Sequence, residues 1–273
     1  MDGIRKSVIA GSWYPGNPSV LRRDIEHYFA SISESAPEGE IAGLIVPHAG
    51  YMYSGKIAAH AYRLIRGKKY DAVIVVGPSH RVAFHGVSVF SRGGYETPLG
   101  VVPVEETLAG KIKKINQVVM DIPQAHLQEH SVEIQLPFLQ VALGEFSFVP
   151  LVMGDQDANT CRELAGAIYE ASLGKKILVV GSSDLSHFYN DTVARKMDAI
   201  ALGYLKNGDV QGLLRSLEHG DVEACGGGPM AVVMSVARML KADKPYLLKY
   251  ANSGDITGEK DSVVGYASAV YCV

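Results

Sequence analysis

Four residues of this 273-residue chain carry side chains suited to holding a metal or moving a proton: His48, His80, His187 and Cys225. Each histidine follows a short apolar run. Ile41–Val46 leads into Pro47-His48-Ala49-Gly50-Tyr51, Asp71–Val76 into Gly77-Pro78-Ser79-His80, and Lys176–Val180 into Gly181-Ser182-Ser183-Asp184-Leu185-Ser186-His187. Read as buried strands, these runs bring the three histidines to three strand ends. Open α/β sheets bind ligands beyond the carboxyl ends of their strands, so one shared site is expected. A lone histidine after a strand is ordinarily a hydrogen-bonded loop residue. The coincidence of three carries the expectation.

Two other segments can join this site. His130 and Glu133 are three residues apart at the start of an expected helix, so they would share its face and line a pocket. The plainer reading makes His130 a cap and Glu133 a solvated residue. His126 falls in the preceding loop. Cys225 lies in Glu223-Ala224-Cys225-Gly226-Gly227-Gly228-Pro229, just before an apolar helix. Free amides at a helix start favour an anion or a thiolate, and a cysteine there is a candidate ligand or nucleophile with a lowered pKa. Cys161, on a helix, reads as buried and inert. Cys272 is assigned no role.

The elements that must position these residues alternate along the chain. Further strands are expected at Gly86–Phe90, Phe146–Val152, Tyr246–Tyr250 and Val263–Tyr271. Helices are expected at Lys56–Ile65, Glu105–Ile115, Ser131–Ala142, Asn159–Ser172, Asp191–Leu205, Val210–Leu217 and Met230–Leu240. Pro137 should kink or shorten its helix, and Asn159 or Thr160 should cap the next. Ser31–Glu40 reads as a loop. Apolar strands without alternation, separated by amphipathic helices, predict a sheet covered on both faces. The fold class is therefore α/β: one three-layer α/β/α domain over residues 1–273, with a central mixed sheet.

Composition narrows the function classes. With 26 basic and 29 acidic residues the net charge is −3, which gives no basic footprint for nucleic acid or an anionic membrane. No apolar stretch approaches a membrane span, and Met1–Lys6 does not begin a signal peptide. Three widely spaced cysteines suggest a reducing compartment rather than a disulfide framework. The expected location is the cytoplasm.

The segments Val46–Gly55, Gly77–His80, Glu129–Glu133, Ser182–His187 and Ala224–Gly226, with the early Gly11-Ser12-Trp13-Tyr14-Pro15, resemble the Memo family. In bacteria and archaea that family is also called AmmeMemoRadiSam system protein B. The resemblance runs from about residue 5 to the C-terminus. It implies the fold of the class III extradiol dioxygenases, protocatechuate-type enzymes that hold Fe(II) with two histidines and a carboxylate. By motif, the two ligand histidines fall on His48 and His80, and the catalytic acid/base histidine on His187. At the carboxylate position the Memo family has a cysteine, here Cys225. A His₂Cys set suits zinc or copper as well as iron, and a thiolate beside O₂ is itself oxidisable. Ring cleavage is therefore not inherited with the fold. Glu133, Asp184 and Glu223 are the carboxylates able to replace the missing one.

Three functions follow as expectations. The first is an iron- or copper-dependent redox enzyme with His48, His80 and Cys225 as ligands. Zinc or no metal are the alternatives. In it His187, oriented by Asp184, moves a proton, while His130, Glu133, Tyr51, Tyr53 and Phe84 line the pocket. The second is a binding module that takes an anionic or phosphotyrosine-like ligand in the same pocket, since eukaryotic family members are described as adaptors for phosphotyrosine-bearing receptor peptides. A copper-dependent oxidase activity has also been proposed for the family. The third is a cysteine hydrolase with Cys225 as nucleophile and His187 or His130 as base. The family's alternative name implies pathway association with AMMECR-type and radical-SAM proteins.

Overall fold

The structure is a computed structural model that describes residues 3–33, 37–242 and 244–273. In chain order the elements begin with β1 (Ile4–Arg5), α1 (Pro18–Ala30), β2 (Ile41–Val46), α2 (Tyr51–Tyr62), β3 (Ala72–Pro78), β4 (Val87–Val89), β5 (Gly94–Thr97) and β6 (Gly100–Pro103). Next come α3 (Glu106–Ile115), β7 (Val119–Met120), α4 (Gln124–Leu127), α5 (Leu136–Leu143), β8 (Phe148–Met153), α6 (Ala158–Ala171), β9 (Ile177–Ser182) and β10 (His187–Tyr189). The chain closes with α7 (Asp191–Asn207), α8 (Val210–His219), α9 (Gly227–Met239), β11 (Lys244–Asn252), α10 (Ser253–Thr257) and β12 (Val263–Cys272).

Nine strands form one mixed sheet in the order β10-β12-β2-β9-β3-β8-β4-β7, with β11 paired to β12. The centre, β2-β9-β3-β8, is parallel, and β12 and β4 flank it antiparallel. Every residue of β2, β3, β8 and β9 is buried. That is why these segments read as continuous apolar runs: parallel strands covered on both faces have no solvent side to make polar. Helices pack on the sheet to complete the three-layer α/β/α architecture. A second, three-stranded sheet, β1-β5-β6, lies apart from the first.

Register decides where the site sits. Val46 pairs with Ser182 and Val76 with Gly181, so β2, β9 and β3 end at one edge. Close approach at this edge needs glycine. A Cβ on Gly77 would lie 2.3 Å from the Ser131 hydroxyl, and one on Gly226 would lie 2.2 Å from the Ser182 carbonyl oxygen.

Several boundaries differ from expectation: the helix expected at Met230–Leu240 starts at Gly227, with Pro229 in its first turn, and His126 lies in α4 rather than in a loop. The second helix starts at Tyr51 rather than Lys56, because the Gly50 carbonyl already accepts the Tyr53 and Ser54 amides. The helix expected at Ser131–Ala142 is instead a 3₁₀ turn, Glu133–Gln135, followed by α5; Pro137 falls in the first turn of α5, where its missing N–H costs nothing. The cap of α6 is Asp157, whose carboxylate accepts the Asn159 and Thr160 amides, rather than either of those residues. Ser31–Glu40 contains no helix or strand in its described residues, and residues 34–36 lie outside them.

Candidate metal centre

His48 is two residues past β2 and its ring is completely constrained. The Ser182 hydroxyl donates to the Ser131 carbonyl at 2.6 Å and receives the Gln135 amide at 2.7 Å. A hydroxyl has one proton to give, so it can only accept from His48 Nδ1, 3.0 Å away. The proton therefore sits on Nδ1, and the bare lone pair of Nε2 points at Cys225 Sγ, 3.0 Å off. Burial, reinforced by the neighbouring His80, holds the His48 pKa down at about 3, so the ring is neutral.

His80 is set by the same logic. Its Nδ1 lies 2.9 Å from Glu129 Oε1, and its backbone N–H donates to Oε2 of that carboxylate at 2.5 Å. Burial would raise Glu129, but hydrogen bonds and charge from His80 and the Ser131 amide outweigh it and keep the pKa at about 2. An ionised carboxylate only accepts, so His80 carries a proton on Nδ1 and turns its other nitrogen away from Glu129. One donor atom from each of His48, His80 and Cys225 lies within 4.8 Å of the others. Two imidazoles, each with an acceptor fixed behind Nδ1, beside a thiol are a donor set for iron, copper or zinc, and the carboxylate and hydroxyl behind the rings are the outer partners that metal-binding histidines require. The residues fit a metal ion.

His130 joins the two rings. It stacks on His80 at 4.5 Å and meets His48 edge-on at 5.4 Å. Burial and the nearby His48 depress it to about 3. Its Nδ1 is buried without a hydrogen-bond partner among the described residues, 3.4 Å from Glu129 Oε1. These histidines, with His187, Trp13, Met52, Tyr53, Asp184 and Tyr266, line one cavity of about 590 Å³.

Several residues stand elsewhere than the sequence suggested. Glu133 is absent from the cavity. Its carboxylate is buried among Arg5, Ser7, Tyr14 and the Val8 and Ile9 amides, where it ties the N-terminal strand to the core. Tyr51 is also turned inward: it packs on Phe138 and donates to the Ile134 carbonyl. With α2 beginning at Tyr51, residues two apart cannot share a face, so Tyr53 lines the cavity and Tyr51 does not. Phe84 packs against Gly154, outside the cavity.

Asp184 does not hold His187. Its Oδ1 accepts the His48 amide at 2.8 Å, and its own amide points at Cys225 Sγ at 3.4 Å. It braces two of the three donors, and burial raises its pKa to about 6. The carboxylate beside His187 is Glu223, with Oε1 3.6 Å from Nδ1. The three glycine amides of the turn are already used, Gly227 N–H by the Ala224 carbonyl. Gly226 N–H donates to Ser183 Oγ and Gly228 N–H to Gln156 Oε1. Nor is Cys225 acidified: burial, and then the charge of Asp184, push its pKa up. Its imidazole neighbour is His48 rather than His187 or His130. Cys161 is buried with its pKa raised to about 12 by burial, and His126 is locked between Tyr95 and Ser88.

The sequence reading missed Glu129, Ser182, Trp13 and Tyr266. The first two were discoverable: each expected ligand histidine needs an acceptor for its second nitrogen, and both lie inside the motifs that carry the candidate residues.

Comparison with known proteins shows the family of the chain. Residues 5–270 match the family model described as Memo-like protein. A MEMO1 family protein of Sulfolobus acidocaldarius is 40% identical, covering 97% of this chain and 98% of its own. Relatives from Thermoplasma volcanium and Ignicoccus hospitalis, at 36% and 38%, each cover 98% of this chain and 98% of their own. With the match spanning nearly every residue, the motif glycines and the histidine cluster included, the chain belongs to the Memo-like protein family.

Proposed function

We propose that the cavity is the active site of a metal-dependent redox enzyme that uses iron or copper on a small organic substrate. The observation that carries the reading is the convergence of His48, His80 and Cys225 donor atoms within 4.8 Å, with a hydrogen-bond partner behind Nδ1 of each ring. The likeness to extradiol dioxygenases favours a redox metal over zinc. His48, His80 and Cys225 would hold the ion. Once bound, it would supply electron transfer and coordination positions open to the cavity.

The other roles belong to the protein. Ser182 and Glu129 keep the ligand imidazoles in the Nδ1–H tautomer. Asp184 fixes the loops that bear His48 and Cys225. Trp13, Met52, Tyr53 and Tyr266 exclude water from around the substrate. His187, with Nδ1 near Glu223, is placed to give or take a proton at Nε2. The anion-binding reading draws less support, because His48 and His130 are kept neutral and the amides of the glycine turn are already used.

Elemental analysis of untagged protein purified anaerobically, with His48→Ala and Cys225→Ala alongside, tests the proposal. About one iron or copper per chain, lost in both variants, is expected. Stoichiometric zinc would replace the redox reading with a hydrolytic or structural one. Absence of metal after reconstitution, or metal retained by both variants, would overturn it.

A further inference from the structure

Two cavities meet at the contact between Trp13 and His130, whose rings are 4.3 Å apart. The first holds the histidine cluster. The second, about 520 Å³, shares Ser12, Trp13 and His130 with it and is completed by Val8, Ile9, Arg81 and Gln128. Arg81 is the sole lysine or arginine lining either one. It directly follows His80 in the chain and lines the second cavity together with His130.

Among the described residues Arg81 has no carboxylate partner. Glu129, the acidic residue of the adjoining loop, is already occupied by the His80 ring and by the amides of His80, His130 and Ser131. The histidine-lined cavity is its complement. Its walls include Trp13, Met52, Tyr53, Val264 and Tyr266, and neither lysine nor arginine lines it.

From this asymmetry we infer that the substrate is an amphipathic carboxylic acid, with its apolar body in the histidine-lined cavity and its carboxylate against Arg81. The guanidinium presents a planar fork that matches a carboxylate in bidentate fashion. A single arginine suits a monoanion better than a phosphate dianion. Anchoring the charged end one residue from His80 would fix how the body lies over the donor atoms, which is the positional contribution to catalysis. The inference rests on the reading that this cavity takes a small organic substrate.

The test uses 3-phenylpropanoate and its neutral amide as probes, with affinities measured by calorimetry on the full-length protein, Arg81→Ala and Arg81→Lys. The native protein should bind the acid about tenfold tighter than the amide, Arg81→Ala should bind both alike, and Arg81→Lys should fall between. Equal affinities in the native protein, a preference that survives Arg81→Ala, or no binding of either probe would overturn the inference. Metal content measured on the same samples separates the two claims. An acid preference in protein that takes up no metal keeps this inference and removes the metal reading; bound metal without a preference does the reverse.

Discussion

Glu129 grips His80 twice, through the ring at Nδ1 and through the backbone amide, with one oxygen of the same carboxylate on each. The ring orientation and the loop conformation at the end of β3 are thus one structural decision. Glu129→Gln should lower metal affinity roughly 10- to 100-fold while leaving the ligands in place. Competition against a chelator of known affinity measures this. Unchanged affinity would show that the pair only holds the loop.

Arg5 and Glu133 form an ion pair with side chains 1% and 0% exposed. Arg5 also donates to the carbonyls of His126 and Glu129, so it supports the loop that carries Glu129 and His130. Arg5→Ala strands a buried carboxylate and should cost about 3–5 kcal/mol. Urea denaturation of the metal-free protein is the measurement, and a loss below about 1 kcal/mol would place the pair among those with no net value.

Asp184 and Glu223 should separate cleanly on substitution. Asp184→Asn weakens the support of His48 and Cys225, so both melting temperature and metal binding should fall. Glu223, whose side chain is 42% exposed, carries little packing. Glu223→Gln should leave melting temperature and metal content unchanged and alter only the pH profile of turnover. Equal thermal loss in both variants would contradict this division.

Acid should destabilise the metal-free protein in a defined window. His48, His126 and His130 are held at about 3, below their ordinary 6.5, so between these values the unfolded chain binds protons that the fold excludes. Stability therefore falls as pH drops through 6.5 toward 3. Asp184, raised from 3.8 to about 6, has the opposite sign in that interval and offsets one of the three protons. Glu129, lowered from 4.5 to about 2, adds to the loss below pH 4.5. Near pH 5 the net slope is about two protons, or roughly 3 kcal/mol per pH unit. Melting temperatures from pH 8 to 5 test this. His126→Gln, remote from the ligands, should make the profile visibly shallower, and an unchanged slope would remove His126 from the account.

Glycine substitutions probe the edge of the sheet. Gly226→Ala drives a methyl into the Ser182 carbonyl oxygen, beside Cys225, and should destabilise the fold and impair metal binding together. Gly166→Ala, inside α6 with nothing within 4 Å of the new Cβ, should stabilise by about 0.5–1 kcal/mol. Denaturant midpoints of the two variants should move in opposite directions.

The sequence alone determined the layers, the central strands and the edge where His48, His80 and His187 gather. Those features follow from local pattern: continuous apolar runs mark strands buried on both faces, and glycine and proline mark their ends. Its glycine-rich turn marks Cys225 as a candidate, and only the fold brings it to His48 across 177 positions. Tertiary structure alone decided which carboxylate serves which histidine. Glu129 rather than Glu133 backs the histidine cluster, because a 3₁₀ turn replaces the expected helix and Arg5 draws Glu133 inward. Glu223 rather than Asp184 sits beside His187, because Asp184 is spent on the His48 amide. The small sheet β1-β5-β6 and the placement of Trp13 against His130 were equally hidden. The first joins β1 to β5 across 90 positions and the second spans 117, and no spacing along the chain encodes such contacts.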